Sequence, residues 1–383
     1  MKRVFFPDDF DRINKKFFNN IRKNRSFQHD PSGWLETESM ASKFLDLEPR
    51  FIEYKSDYQN QLSIQKNKII NLLNNWENET LHQDNITLTN SVTSGSLITL
   101  LMLKQTGFKK IFFETPTYFG TIKQAESLGY EIEFIPAYYH ENFEYPLPQN
   151  PHKNSILWTT QPRTSIGINQ EKSRLSKALS EGFFLVIDEA TETLFPSFLS
   201  HLSPKENKSI IKLRSFVKCL GVNGIRLSTI IHHNKYRLDL MNALEAFQGA
   251  IDLNSLEMVV RLASNTKKIQ NAMEIARNQV KSNYSDIKLN CTSESIVPLN
   301  IDNGYISSII LKYQDKGQSQ IKNRESLLRF FSKNNTPIIL GSTMRFPIHH
   351  GFEFIKVNYF KNQTNLIGAV NLLHKFLLSD NSK

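Results

Sequence analysis

A chain of 383 residues, 39% hydrophobic and 22% charged, has the composition of a soluble globular protein with room for two domains. Its net charge of +10 comes from Lys and Arg scattered among Asp, Glu and Asn. With no basic block, helix-turn-helix signature or zinc-finger spacing, that charge argues against a nucleic-acid partner.

Only two cysteines occur, Cys219 and Cys291, so a disulfide framework is excluded and a reducing cytoplasm is the expected setting. No run approaches the length of a membrane span, and no apolar stretch follows the basic N-terminus as a secretory signal would require. No metal site is expected.

Residues 1–60 are aromatic-rich and broken by Pro31-Ser32-Gly33-Trp34, which marks a turn in an N-terminal arm. Apolar residues at helical spacing predict an amphipathic helix over 62–76. A regular alternation follows. Strands are predicted at 86–92, 110–114, 131–137, 155–160, 183–187 and 209–213, with helices starting near Gly95 and over 118–128 and 172–180. Short apolar strands alternating with helices require right-handed crossovers and a mostly parallel sheet buried on both faces. Beyond Tyr236 come long helical segments, about 236–248 and 254–281. Strands near 295–301, 305–313, 336–340 and 352–360 then mix with helices over 318–332 and 363–378.

The fold class is therefore α/β. The expected division is a large domain over 61–250, its mostly parallel sheet sandwiched by helices. A linker helix and a smaller α+β domain occupy 251–383, with the arm over 1–60 contributing to the latter.

Ligands of such sheets gather at the carboxyl ends of strands, and Gly95, Tyr118, Gln161-Pro162, Asp188 and Lys218 each follow a predicted strand. The stretch 215–226, SFVKCLGVNGIR, holds Ser215, Lys218, Gly221, Gly224 and Arg226. Lys218 can form a Schiff base with an aldehyde, while Arg226 and the Ser215 hydroxyl take a phosphate, the pattern expected around pyridoxal phosphate. The same stretch is also compatible with a tight glycine turn between buried strands.

Asp188, ending an apolar strand, needs a cationic or hydrogen-bonding partner. A protonated pyridine nitrogen fits, as does an arginine or a loop cap. Glu189 has no role in this scheme. Ser94-Gly95-Ser96 opens a helix, either as a phosphate cup or as an ordinary N-cap. Tyr118 can stack on a planar ring or simply pack. Arg345, in a strand-like apolar setting, calls for an anion, either a substrate carboxylate or an internal salt-bridge partner.

Taken in order, these pieces resemble the class I/II aminotransferases among the fold-type I pyridoxal-phosphate enzymes, over nearly the full length. The matching features are Ser-Gly-Ser at 94–96, Pro-Thr-Tyr with Tyr118, QPRTSIG at 161–167, Asp-Glu-Ala at 188–190, the SxxKxxGxxGxR block at 215–226 and Arg345. The resemblance implies that Lys218 holds pyridoxal phosphate and shuttles a proton, and that Asp188 pairs with the pyridine nitrogen while Tyr118 stacks on the ring. Ser94, Gly95, Ser96, Ser215 and Arg226 would hold the phosphate, and Arg345 the substrate carboxylate. It further implies a homodimer in which Tyr54 or Tyr58 reaches the partner's site, and an arm near Trp34 that contacts substrate.

Two positions depart from the family. Thr164 stands where an Asn contacts the cofactor's phenolic oxygen, and Thr191 replaces a Tyr that contacts the same oxygen. A transaminase is expected. Elimination, decarboxylation, racemisation or cyclisation on an amino acid is the alternative, and a non-catalytic binding protein of the same fold comes behind both. Ser215-x-x-Lys218 also matches the SxxK of penicillin-binding enzymes, but no Lys-Thr-Gly follows and the only Ser-Asp-Asn is at 379–381.

Overall fold

In the computed structural model the described residues are 31–32, 58–77, 80–138, 142–148, 154–193, 196–216, 218–220, 225–263, 265–312, 320–346 and 352–381. Trp34, Tyr54, Gly221 and Gly224 lie outside them, as does the side chain of Tyr58.

Seven strands form one sheet: β1 (Ile86–Thr89), β2 (Lys110–Thr115), β3 (Glu131–Pro136), β4 (Ser155–Thr160), β5 (Phe184–Glu189), β6 (Ile210–Ser215) and β7 (Ser228–His232), in the order β1-β7-β6-β5-β4-β2-β3. Neighbours from β3 through β6 run parallel, whereas β7 is antiparallel to both β6 and β1. Strands β4, β5, β6 and β7 are buried at every residue, as expected of strands covered on both faces. This topology brings the carboxyl ends of β1, β2, β4, β5 and β6 to one edge, together with the amino end of β7.

One apolar layer packs under α2 (Val92–Gln105), α3 (Phe119–Ser127) and, after α4 (Lys172–Ser180), under α5 (Arg237–Phe247). A three-stranded antiparallel sheet, ordered β10-β9-β8, forms from β8 (Ile296–Pro298), β9 (Ile306–Lys312) and β10 (Phe352–Asn358). It shares a core with α1 (Tyr58–Glu77), α6 (Leu253–Ala263), α7 (Thr266–Asn290), α8 (Gln320–Lys333) and α9 (Gln363–Asn381).

Three expectations change. The strand expected at 86–92 stops at Thr89, because the Ser91 hydroxyl accepts the Ser94 N–H and starts α2 at Val92 rather than near Gly95. The helix expected over 254–281 is two helices, the second capped by the Asn265 side chain accepting from Lys268 N–H. The segment 336–340 makes a single bridge, Leu340 to Ile355, instead of a strand.

Strand alternation sends Asp188 and Glu189 to opposite faces. Glu189, which had no evident role in the sequence, meets Arg214 (3.1 Å) and the Ser197 hydroxyl (2.5 Å). Arg214 also reaches Glu77 at 2.9 Å. Burial pushes the Glu77 carboxyl up, while Arg214 pulls it back. This cluster lies beneath the sheet face opposite Asp188.

Candidate active site

At the carboxyl end of β5, Asp188 is 7% exposed and lies level with Thr160 on β4 and Leu213 on β6. Its Oδ1 accepts the Ala190 N–H at 2.9 Å. Burial pushes the carboxyl up; the Ala190 N–H and then the Lys218 ammonium pull it back, and Glu189 pushes it up again. Because β5 and β6 are parallel neighbours, Asp188 and the Lys218 turn lie at the same sheet edge, though 30 positions separate them in the chain.

Lys218 begins a short 3-10 turn beyond β6. Its N–H donates to the Ser215 hydroxyl at 3.4 Å, and its side chain is half-buried. Ser215 pairs with Ser228 on β7, and Ser228 with Thr89 on β1, so three hydroxyls form a row at the strand ends. The hydroxyls of Thr89 and Ser228 lie 2.7 Å apart.

The first amides of α2 come next to this row. Gly95 donates its N–H to the Ser91 carbonyl, and the Ser96 hydroxyl donates to the Val92 carbonyl, so both residues are engaged inside the helix. The Ser94 hydroxyl lies 3.0 Å from that of Ser91. The N–H groups without an intrahelical acceptor are those of Val92 and Thr93, upstream of the expected cup at 94–96. Asn90-Ser91 ahead of an apolar run is the sequence signal that marks this start.

Arg226 follows buried Ile225 and precedes buried Leu227, with its own side chain exposed. Because β7 runs antiparallel to β1, Arg226 and Ser91 each lie two residues beyond the paired Ser228 and Thr89.

Tyr118 is the N-cap residue of α3, and its ring lies 5.0 Å from that of Phe119. It folds back over Gly120, where a methyl would stand 2.5 Å from the ring. The neighbouring Thr117 N–H donates to the Met344 carbonyl at 3.1 Å, which ties this turn to Arg345. Arg345 is not in a strand. It ends a 3-10 turn, Gly341–Met344, in the left-handed region (φ 62°), and its guanidinium lies 5.5 Å from the Phe134 ring centroid.

Thr164 is buried in the 161–167 loop, its N–H held by the Thr160 hydroxyl at 3.0 Å. Gly167, at φ 81°, lets that loop meet β9: an added methyl would stand 2.9 Å from the Asn300 carbonyl and the Ser307 hydroxyl. Gly304, at φ 78°, wedges between Pro162 and the Thr191 carbonyl in the same way. Beside it, Asn303 bonds the side chains of Thr193 and Glu192.

Lys356 is a buried cation that no sequence motif marks. On β10 it shares a face with Phe354, which stacks on Phe346, and its cross-strand neighbour Ser308 donates to the Ser165 carbonyl at 2.7 Å. That face looks toward the 161–167 loop. Lys356 is 1% exposed, and its ammonium donates to the Ser32 carbonyl at 2.8 Å. A lysine in an apolar strand is the signal that could have found it.

Among the described residues no group of His, Cys, Asp and Glu could hold a metal ion, and no helix is long and apolar enough to cross a membrane.

Over residues 55–329 the sequence matches the family described as aminotransferase class I and II. No curated protein matches it. Among solved structures it is similar to a single mutant of Thermus thermophilus aspartate aminotransferase, at 11% identity over 98% of this chain and 99% of that one (TM-score 0.74). An aspartate aminotransferase from Thermotoga maritima is 14% identical over 97% and 98% of the two chains (TM-score 0.73). An aromatic aminotransferase from Pyrococcus horikoshii is 12% identical over 95% and 99% (TM-score 0.73). Identities this low speak to the fold alone.

Proposed function

The chain belongs to the class I and II aminotransferase family, and we propose that it moves an amino group from an α-amino acid to a 2-oxo acid with bound pyridoxal phosphate. The observation that carries this reading is that the parallel neighbours β5 and β6 deliver Asp188 and Lys218 to the same sheet edge. The residues present fit that cofactor. A buried carboxylate could face a ring nitrogen, a primary amine at the same sheet edge could meet an aldehyde, and helix amides with Arg226 could take a phosphate.

When bound, pyridoxal phosphate supplies an aldehyde and an electron-withdrawing ring. Asp188 would hold the ring nitrogen protonated from a water-poor position, which would strengthen the pairing. Lys218 would hold the aldehyde through its amine and would carry the proton that leaves the substrate Cα. Tyr118 would cover one ring face. Ser215, Arg226, Ser94 and the first turn of α2 would hold the phosphate. The substrate carboxylate goes to a cation on the small-sheet side, Arg345 in the sequence reading, with Lys356 as the buried alternative. We further propose a cytoplasmic homodimer in which Tyr54 or Tyr58 reaches the partner's site and Trp34 contacts substrate. Residues 61–250 would form the cofactor-binding unit and 251–383 the smaller one.

One observation favours a second reading on the same cofactor, with elimination, decarboxylation, racemisation or cyclisation as the outcome. Thr164 and Thr191 occupy the positions of both usual donors to the phenolic oxygen, and the Thr164 N–H is already committed to Thr160. Spectroscopy separates the readings. Purified holoenzyme given single amino donors should lose its near-visible band as the pyridoxamine form accumulates and regain it with a 2-oxo acid. Ammonia, carbon dioxide or the enantiomer as product would support the second reading.

A further inference from the structure

Beyond its packing role, the start of α6 touches both elements that would grip a phosphate. Asn90, one residue before the N-cap of α2, accepts the Asp252 N–H through its side-chain oxygen at 2.9 Å and donates to the Ala250 carbonyl at 3.2 Å. Its own N–H goes to the Gln248 side chain at 3.0 Å. The other carboxylate oxygen pattern is equally specific: Asp252 Oδ2 accepts the Ser255 hydroxyl at 2.6 Å, and Oδ1 accepts the Asn254 N–H at 3.1 Å. With its proton given to Asp252, the Ser255 oxygen is left to accept, and it takes the Arg226 N–H at 2.9 Å. Ser255 is 4% exposed. A continuous run therefore joins Asn90, Asp252, Ser255 and the backbone of Arg226.

We infer that Ser255 and Asp252 are positioning residues that set the Arg226 guanidinium against the first turn of α2, and so fix the geometry of the phosphate grip. This rests on the pyridoxal-phosphate reading above. Arg226 has an exposed side chain, so its aim depends on its backbone. The ladder of β7 begins only at Ser228, two residues after Arg226, so it does not include the Arg226 peptide. The amide bond to Ser255 fixes the plane of the peptide from which Arg226 projects. Asn90, held by the same short segment, fixes the start of α2. A charge-assisted link from Ser255 to Asp252 makes the hydroxyl a committed acceptor rather than a free rotor.

The test compares two ligands that differ only in the phosphate. Binding of pyridoxal phosphate and of phosphate-free pyridoxal to apoenzyme is followed by absorbance and by quenching of protein fluorescence, for wild type, Ser255→Ala, Asp252→Ala and Asp252→Asn. Ser255→Ala and Asp252→Ala should weaken pyridoxal phosphate about ten-fold, the loss of one committed hydrogen bond, and leave pyridoxal unchanged. Asp252→Asn, which keeps an acceptor for Ser255, should recover most of the affinity. Equal weakening of both ligands, or no change in either, overturns the inference. Should Ser255→Ala fail to fold, the Asp252 pair gives the same comparison. Wild-type apoenzyme that binds neither ligand would instead sink the cofactor reading itself.

Discussion

Lys218 bears on Asp188 across the gap between two neighbouring parallel strands, and apart from the Ala190 N–H it is what draws this buried carboxyl back toward ionisation. Because burial raises the folded value above the unfolded one, stability is lost as pH rises through the folded value. The ionised form needed for pairing is therefore held at a cost. Asp188→Asn is expected to raise the melting temperature of the apoenzyme at neutral pH while lowering turnover by about 100-fold or more. A variant that melts lower would show the carboxylate to be a structural cap instead.

Lys218→Ala should abolish the near-visible band and the mass increment trapped by borohydride, and should cut turnover by about 1,000-fold or more. Its melting temperature should stay close to wild type, since the side chain is only half-buried. Retained turnover would remove Lys218 from the chemistry.

The two cations on the small-sheet side can be told apart by KM. If Arg345 takes the substrate carboxylate, Arg345→Ala raises KM for amino acids about 10-fold or more, the worth of a charge-assisted pair, while its melting temperature barely moves. Lys356→Met should then show itself mainly in stability, through the lost bond to Ser32. The opposite pattern assigns the carboxylate to Lys356.

His232 is fully buried, with one ring nitrogen at the Thr87 hydroxyl and the other at the His233 carbonyl, and burial, with the charge of Lys66, lowers it to about 4. The unfolded chain therefore takes a proton near 6.5 while the native one does not. This contribution to stability is whole above pH 6.5 and falls as pH drops toward 4, by about 3 kcal/mol. Urea titrations across that window should show the slope in wild type and a flatter one in His232→Gln. An equal slope in the variant would assign the effect to other groups.

Arg214 stands between Glu77 and Glu189, all three at most 7% exposed. Arg214→Met removes the guanidinium between two buried carboxylates, leaves Glu189 with Lys212 at 3.9 Å, and should cost about 3 kcal/mol in urea unfolding. Adding Glu189→Gln should recover part of that loss; no recovery would locate the cost elsewhere.

The sheet was readable because its strands are short, apolar and separated by amphipathic helices, so strands such as β4 and helices such as α4 fall where periodicity puts them. Asp188 and Lys218 were readable because each follows such a strand. The helix start at Ser91 was misplaced by three residues: Ser94-Gly95-Ser96 and Asn90-Ser91 are both plausible openings by composition, and only the hydrogen bond from Ser94 N–H to Ser91 decides between them. Ser255 and Asp252 stayed invisible for a different reason. Their neighbours, Arg226 and Asn90, lie far away in the chain, and no local pattern encodes a meeting that only tertiary packing creates.

The Asn303-Gly304 corner, pressed against Pro162 and Thr191, links the tips of two separate crossovers to the far sheet. The walls formed by Pro162 and Thr191 are thereby packed against the small sheet by the fold itself. Whatever binds there meets walls whose ordering entropy was spent during folding, so more of the contact energy remains for holding the ligand.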